Sequence, residues 1–127
     1  MTGAVLSDGS GLGDGSRVAP VTLTGILAAA ASPDHPQLRP ILSGLPVAGV
    51  SGTLLDRFEL RSQRPAAGVV RAKTGSLSGV SSLAGTVVDD DGRLLAFAVL
   101  ADRVAATEPA RRALDQLATT LAGCGCS

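Results

Sequence analysis

The run Leu94-Leu95-Ala96-Phe97-Ala98-Val99-Leu100-Ala101 has no polar residue on either face and directly follows Asp89-Asp90-Asp91-Gly92-Arg93. A strand-length segment that is apolar on both faces must be kept from water on both, so it is expected inside a sheet with helices on each side. An Asp-Gly step between apolar runs is the strongest short-range hairpin signal, and it predicts that residues 82–88 pair with residues 94–101. Upstream, residues 69–74 mix β-branched and small residues and read as a further strand, giving three consecutive antiparallel strands.

Helices to cover that sheet are also legible. From Pro20, Leu23, Ile26, Leu27 and Ala30 recur at helical spacing until Ser32-Pro33 interrupts them. Leu38, Ile41, Leu42 and Leu45 repeat the spacing up to Gly44 and Pro46, with Pro40 tolerable only in the first turn. Near the C-terminus Thr107 is positioned to cap a helix whose apolar stripe is Ala110, Ala113, Leu114, Leu117, Ala118 and Leu121, stopping at Gly123. Residues 7–17 are mostly Gly, Ser and Asp and read as a loop. The order predicts an α+β layer structure with an antiparallel sheet, and at 127 residues with 45% apolar content the chain is expected to form one unit, residues 1–127.

Eleven basic residues balance eleven acidic ones without gathering into a stripe, which argues against nucleic acid as a partner. No apolar run reaches the length of a membrane span, and Thr2-Gly3 does not open a signal peptide. Cys124 and Cys126, the only cysteines, sit two apart, too close for an easy disulfide and too few for a zinc site, and are expected to be idle thiols on a frayed tail, the alternative being pairing with another chain or a distant segment.

The chemistry concentrates at Val70-Arg71-Ala72-Lys73-Thr74-Gly75-Ser76, where a Lys-Thr-Gly triplet ends a predicted strand and is followed by two further strands and a helix. Lys73 is the only lysine in the chain. Together with Asp8-Gly9-Ser10-Gly11-Leu12 (then Arg17 and Pro20), Leu45-Pro46-Val47-Ala48-Gly49, Gly52-Thr53-Leu54 with Arg57, and Gly79-Val80 with Leu83-Ala84-Gly85, this block resembles the low-molecular-mass, class C penicillin-binding proteins, the D-alanyl-D-alanine carboxypeptidase/endopeptidase family. The resemblance runs from about Leu6 to the final helix. It implies a partial β-lactamase/transpeptidase-like fold, an extracytoplasmic location, no cofactor, and as partners a peptidoglycan stem peptide ending in D-Ala-D-Ala, β-lactams and the N-terminal remainder of the same enzyme.

A D-Ala-D-Ala terminus offers a carboxylate, an extended backbone and a carbonyl that becomes an oxyanion. The Lys73 ammonium supplies positive potential and keeps a neighbouring serine in its proton relay, and the Thr74 and Ser76 hydroxyls bind the carboxylate. Gly75 leaves room for a peptide that adds to the strand edge. By resemblance, the Ser76 backbone N–H is half of an oxyanion hole. Lys73 and Ser76 are therefore the expected catalytic residues, and Thr74, Gly75 and Ser76 the substrate-binding ones.

The remaining parts of such an enzyme are absent. Val70 stands three residues before the only lysine, so there is no Ser-x-x-Lys, and without asparagine there is no Ser-x-Asn. The nucleophile-bearing part is expected upstream of residue 1 and the chain alone is expected to be inactive. Within the same superfamily the alternative is a serine β-lactamase, and outside it a non-catalytic remnant that binds peptidoglycan or a partner. Gly13 and Asp14 stand where the family usually has serine and arginine. Ser10 lacks a nucleophile elbow and reads as turn chemistry. His35, between Pro33 and Pro36, reads as a solvated loop residue, and Asp89 to Asp91 lack the spacing of a calcium loop and read as a turn, with no metal site expected. Arg57, Arg61 and Arg64 read as solvated or paired surface charges, and Arg111 and Arg112 fall off the apolar stripe of the last helix.

Overall fold

A computed structural model describes residues 3–125. Its element order is β1 (Ala4–Val5), β2 (Arg17–Val18), α1 (Pro20–Ala31), a 3-10 turn at Pro36–Leu38, α2 (Arg39–Ser43), 3-10 turns at Gly52–Leu54 and Arg64–Ala66, β3 (Arg71–Leu77), β4 (Val80–Val88), β5 (Leu94–Ala101) and α3 (Thr107–Ala122). β3, β4 and β5 form one antiparallel sheet in that order. The expected α+β architecture is present, with α1 and α3 on opposite faces of the sheet.

The register follows from the turns. Leu77 pairs with Val80 across Ser78-Gly79, and Gly79 takes φ +71, which costs glycine nothing. β3 therefore runs to Leu77, three residues beyond the expected end, because the second half of the strand is held by β4. Val88 pairs with Leu94 across the Asp89–Arg93 turn. There the Asp89 carboxylate accepts the backbone N–H groups of Asp91 (3.0 Å) and Arg93 (2.8 Å), the turn chemistry expected of the acidic run. Those N–H donors, that of Arg93 first, hold the Asp89 carboxyl below its ordinary range against the opposing pull of desolvation.

Alternation of side chains gives the sheet two different faces. Leu83, Val87 and Phe97 point toward α3 and close the core with Ala72, Val70, Leu114, Ala118 and Ala122. Thr86, Leu94 and Ala96 lie on the other face, where they line an open groove together with Leu27, Ala28 and Ala31 of α1. At Gly85 the strands approach so closely that a Cβ would lie 2.5 Å from Ala72 Cα and closer still to the Arg71 carbonyl oxygen. Glycine is obligatory at that crossing.

Among the described residues β5 is an edge strand, and Leu94 and Leu100 remain 51% and 39% exposed. Three expectations for α3 and the C-terminal residues fail. In α3 the buried side is Leu114, Asp115, Ala118, Thr119 and Ala122, whereas Leu117 is 50% exposed and Ala113 is exposed, so the stripe is rotated by one position, about 100°. Thr107 is the first helical residue and not the cap; Ala106 occupies that place and contributes no side-chain cap. Cys124 is held in a disulfide, so it is not an idle thiol, and Cys126 lies outside the described residues.

The rotation of α3 has a cause in Arg57. Its guanidinium meets the Asp115 carboxylate through Nε (2.9 Å) and Nη2 (2.6 Å), and Nη2 also donates to the Arg111 carbonyl (3.3 Å). The side chains of Arg57 and Asp115 are only 11% and 4% exposed, which corrects the reading of Arg57 as a surface charge. The neighbouring Phe58 takes φ 62, unusual for a bulky residue, and so buries its ring while its N–H points at Asp115 (3.4 Å). Gln63, also buried, donates to the Arg112 carbonyl at 3.0 Å. The polar stretch before β3 is thus clamped to α3.

Candidate active site

Residues 46–54 fix the root of β3. The Ala48 N–H donates to the Val70 carbonyl (2.9 Å) and the Ala72 N–H to the Pro46 carbonyl (2.9 Å), on the side of β3 away from β4. Even-numbered residues of β3 therefore direct their backbone groups outward from the sheet. Beyond Ala72 this outer edge is unpaired among the described residues, and the Thr74 carbonyl and the Ser76 N–H lie along it. Among the described residues, the helical element chiefly packed against β3 is the 3-10 turn Gly52–Leu54.

Lys73 stands opposite Ala84 and Thr74 opposite Leu83, so their side chains leave the strand on opposite faces. At a free edge both can turn to the rim. The Lys73 ammonium does so, donating to the Thr74 carbonyl at 3.0 Å while the side chain stays exposed. Among the described residues no carboxylate reaches it. Its charge is therefore available at the strand edge, where an anion arriving in the plane of the sheet would find it.

Gly75 keeps the site flat. A Cβ there would collide with the Ser82 hydroxyl, which lies 3.5 Å from the Gly75 carbonyl oxygen. Ser76 is exposed on the same rim. The Thr74 hydroxyl donates to that of Thr53 at 3.0 Å, a contact across 21 residues of sequence. Lys73, Thr74, Gly75 and Ser76 are thus brought together as expected of one strand. Thr53 joins them; it stands in the Gly52-Thr53-Leu54 block that helps carry the resemblance, but neither spacing nor periodicity assigned it to the rim.

The other sequence candidates sit elsewhere. In the β1–β2 loop the Asp8 carboxylate accepts the Ser10 hydroxyl (3.0 Å) and the Ser10 and Gly11 N–H groups (3.0 and 3.2 Å), bonds that hold its pKa low. Ser10 in turn accepts the Leu12 N–H, so its hydroxyl is spent on the turn. His35 is exposed before a 3-10 turn. Among the described residues no group of three or more His, Cys, Asp or Glu could hold a metal ion, and no helix is long and apolar enough to cross a membrane.

With this geometry established, the chain can be set beside known proteins. Residues 1–121 match the D-Ala-D-Ala carboxypeptidase 3 (S13) family. Carboxypeptidase DacB of Mycolicibacterium smegmatis is 46% identical over 126 residues, and a carboxypeptidase of Mycobacterium tuberculosis 47% identical over the same length; each alignment covers 98% of this chain and 27% of the relative. The structure of penicillin-binding protein 4 (DacB) from Haemophilus influenzae, complexed with a β-lactam, superposes with a TM-score of 0.76 at 35% identity, covering 93% of this chain and 27% of that one. The chain thus spans about a quarter of the length of these relatives. A match that takes in the loop, the clamp, the strand rim and the final helix alike means that the chain belongs to the D-Ala-D-Ala carboxypeptidase 3 (S13) family, as a C-terminal portion of it.

Proposed function

We propose that residues 1–127 form the C-terminal portion of a serine-type D-Ala-D-Ala carboxypeptidase that removes the terminal D-alanine of peptidoglycan stem peptides through an acyl-enzyme. The observation that carries this reading is the exposed ammonium of Lys73, which no carboxylate reaches among the described residues, on a strand edge that is unpaired among them beyond Ala72. A peptide laid along that edge gains main-chain hydrogen bonds from β3. Its terminal carboxylate meets Lys73 and the hydroxyls of Thr74 and Ser76, and Gly75 leaves space for its backbone.

In acylation the scissile carbonyl is attacked by a serine from the N-terminal remainder of the enzyme. The bond to the terminal D-alanine breaks, the acyl group passes to serine, and D-alanine leaves with the proton. Lys73 holds positive potential beside the relay, and the outward Ser76 N–H stabilises the oxyanion. β-Lactams carry a carboxylate and a reactive carbonyl in a similar relation, so they are expected to acylate the same serine. Substrates of this kind place the enzyme outside the cytoplasm, in the cell envelope.

The test is covalent labelling by a fluorescent penicillin, comparing the 127-residue chain with the longer gene product that carries it. Labelling of the longer product, its loss in Lys73→Ala, and no labelling of the 127-residue chain are expected. Labelling of the short chain alone, or of neither, overturns the proposal.

A further inference from the structure

Among the described residues, the Thr74–Thr53 hydroxyl contact ties a side chain of the strand rim to a segment outside the sheet. Thr53 lies in the 3-10 turn Gly52–Leu54, and that turn is firmly placed. Leu54 is fully buried, its carbonyl accepts the Gly49 N–H at 2.8 Å, and the Ser51 hydroxyl accepts the Val47 N–H at 3.0 Å. Pro46 to Ala48 are themselves bonded to the root of β3. Thr53 is thus an exposed residue on a rigid arm, its hydroxyl 3.0 Å from that of the half-buried Thr74 on the rim. Thr53 stands open to water, so its own burial does not account for the contact.

Two touching hydroxyls hold two protons, of which one bridges them and the other is free to point outward. With Thr74 donating, the outward proton belongs to Thr53. When an anion reaches the rim, rotation of both hydroxyls reverses the bridge, so that Thr53 donates to Thr74 and Thr74 donates to the anion. The accepted bond also polarises the Thr74 O–H and strengthens the one it makes. We infer that Thr53 is a positioning residue for carboxylate recognition: it holds the Thr74 hydroxyl in its rotamer and supplies the reciprocal hydrogen bond when the substrate's terminal carboxylate binds. This inference rests on the carboxypeptidase reading above.

The experiment uses the longer gene product and two acyl-D-alanyl thioesters, one ending in a free carboxylate and the other its neutral methyl ester. Thr53→Val is expected to lower kcat/KM for the acid about three- to tenfold, mainly through KM, the effect of one hydrogen bond. The neutral ester should change less than about twofold, and Thr53→Ser, which keeps the hydroxyl, should restore the acid to within about twofold. In a Thr74→Val background, adding Thr53→Val should have no further effect. An equal fall for both substrates, no fall for either, or a full Thr53→Val effect without the Thr74 hydroxyl overturns the inference while leaving the carboxypeptidase reading intact. A wild-type protein that penicillin does not acylate and that cleaves neither substrate removes both.

Discussion

Replacing Asp115 by alanine leaves the Arg57 guanidinium, in a site only 11% exposed, without a counter-charge. At a charge separation of about 4 Å and an effective dielectric near 20 the lost attraction is about 4 kcal/mol. Removing one partner of a buried pair typically costs about 3–5 kcal/mol, because the survivor stays desolvated. The Phe58 N–H loses its carboxylate as well, at a backbone conformation that needs support. A domain of this kind has about 5–15 kcal/mol in all, so urea unfolding of Asp115→Ala should show a midpoint drop that approaches loss of the native state. The comparison is Glu108→Ala, which breaks the exposed Arg111–Glu108 pair, 2.9 Å long, and should cost less than about 1 kcal/mol. The double variant Arg57→Met with Asp115→Leu should recover most of the loss, since no charge is then stranded. If Asp115→Ala and Glu108→Ala prove equally mild, or the double variant is worse than the single, the clamp is not what holds residues 57–63 to α3.

Gly85→Ala forces a Cβ to within 2.5 Å of Ala72 Cα and should destabilise the sheet by about 1–3 kcal/mol or more, read as a lower urea midpoint. Gly25 lies in α1 with open space around a notional Cβ, so Gly25→Ala should instead stabilise by about 0.5–1 kcal/mol in the same assay. The Asp89 carboxyl titrates lower when folded than unfolded, so its stabilisation is complete above about pH 4 and disappears as pH falls through the folded value. Thermal scans from pH 6 to 2 should therefore show a steeper acid decline for the wild type than for Asp89→Asn; parallel profiles would contradict it.

Much of this architecture is written locally. The Asp-Gly turn, the apolar run after it and the Lys-Thr-Gly strand are each specified by residues a few positions apart, so the three-strand order and the rim bearing Lys73, Thr74, Gly75 and Ser76 follow from sequence. Helix positions follow too, since Pro20, Pro40 and Gly123 punctuate them. Which side of α3 faces inward is another matter. Leu114 and Ala118 belong both to the expected stripe and to the observed one, and the choice between adding Leu117 or Asp115 depends on what the sheet side presents. Arg57, 58 residues away, decides for Asp115. Thr53 meets Thr74 for a similar reason, because the arm that carries it is set by bonds from Pro46 and Ala48 to β3. The sequence by itself determined the strands, the turns and which residues line the rim, where the deciding interactions are between near neighbours. Only the tertiary structure decided the buried ion pair, the rotation of α3 and the hydroxyl partner of Thr74, because those depend on the distance and direction between segments that periodicity does not record.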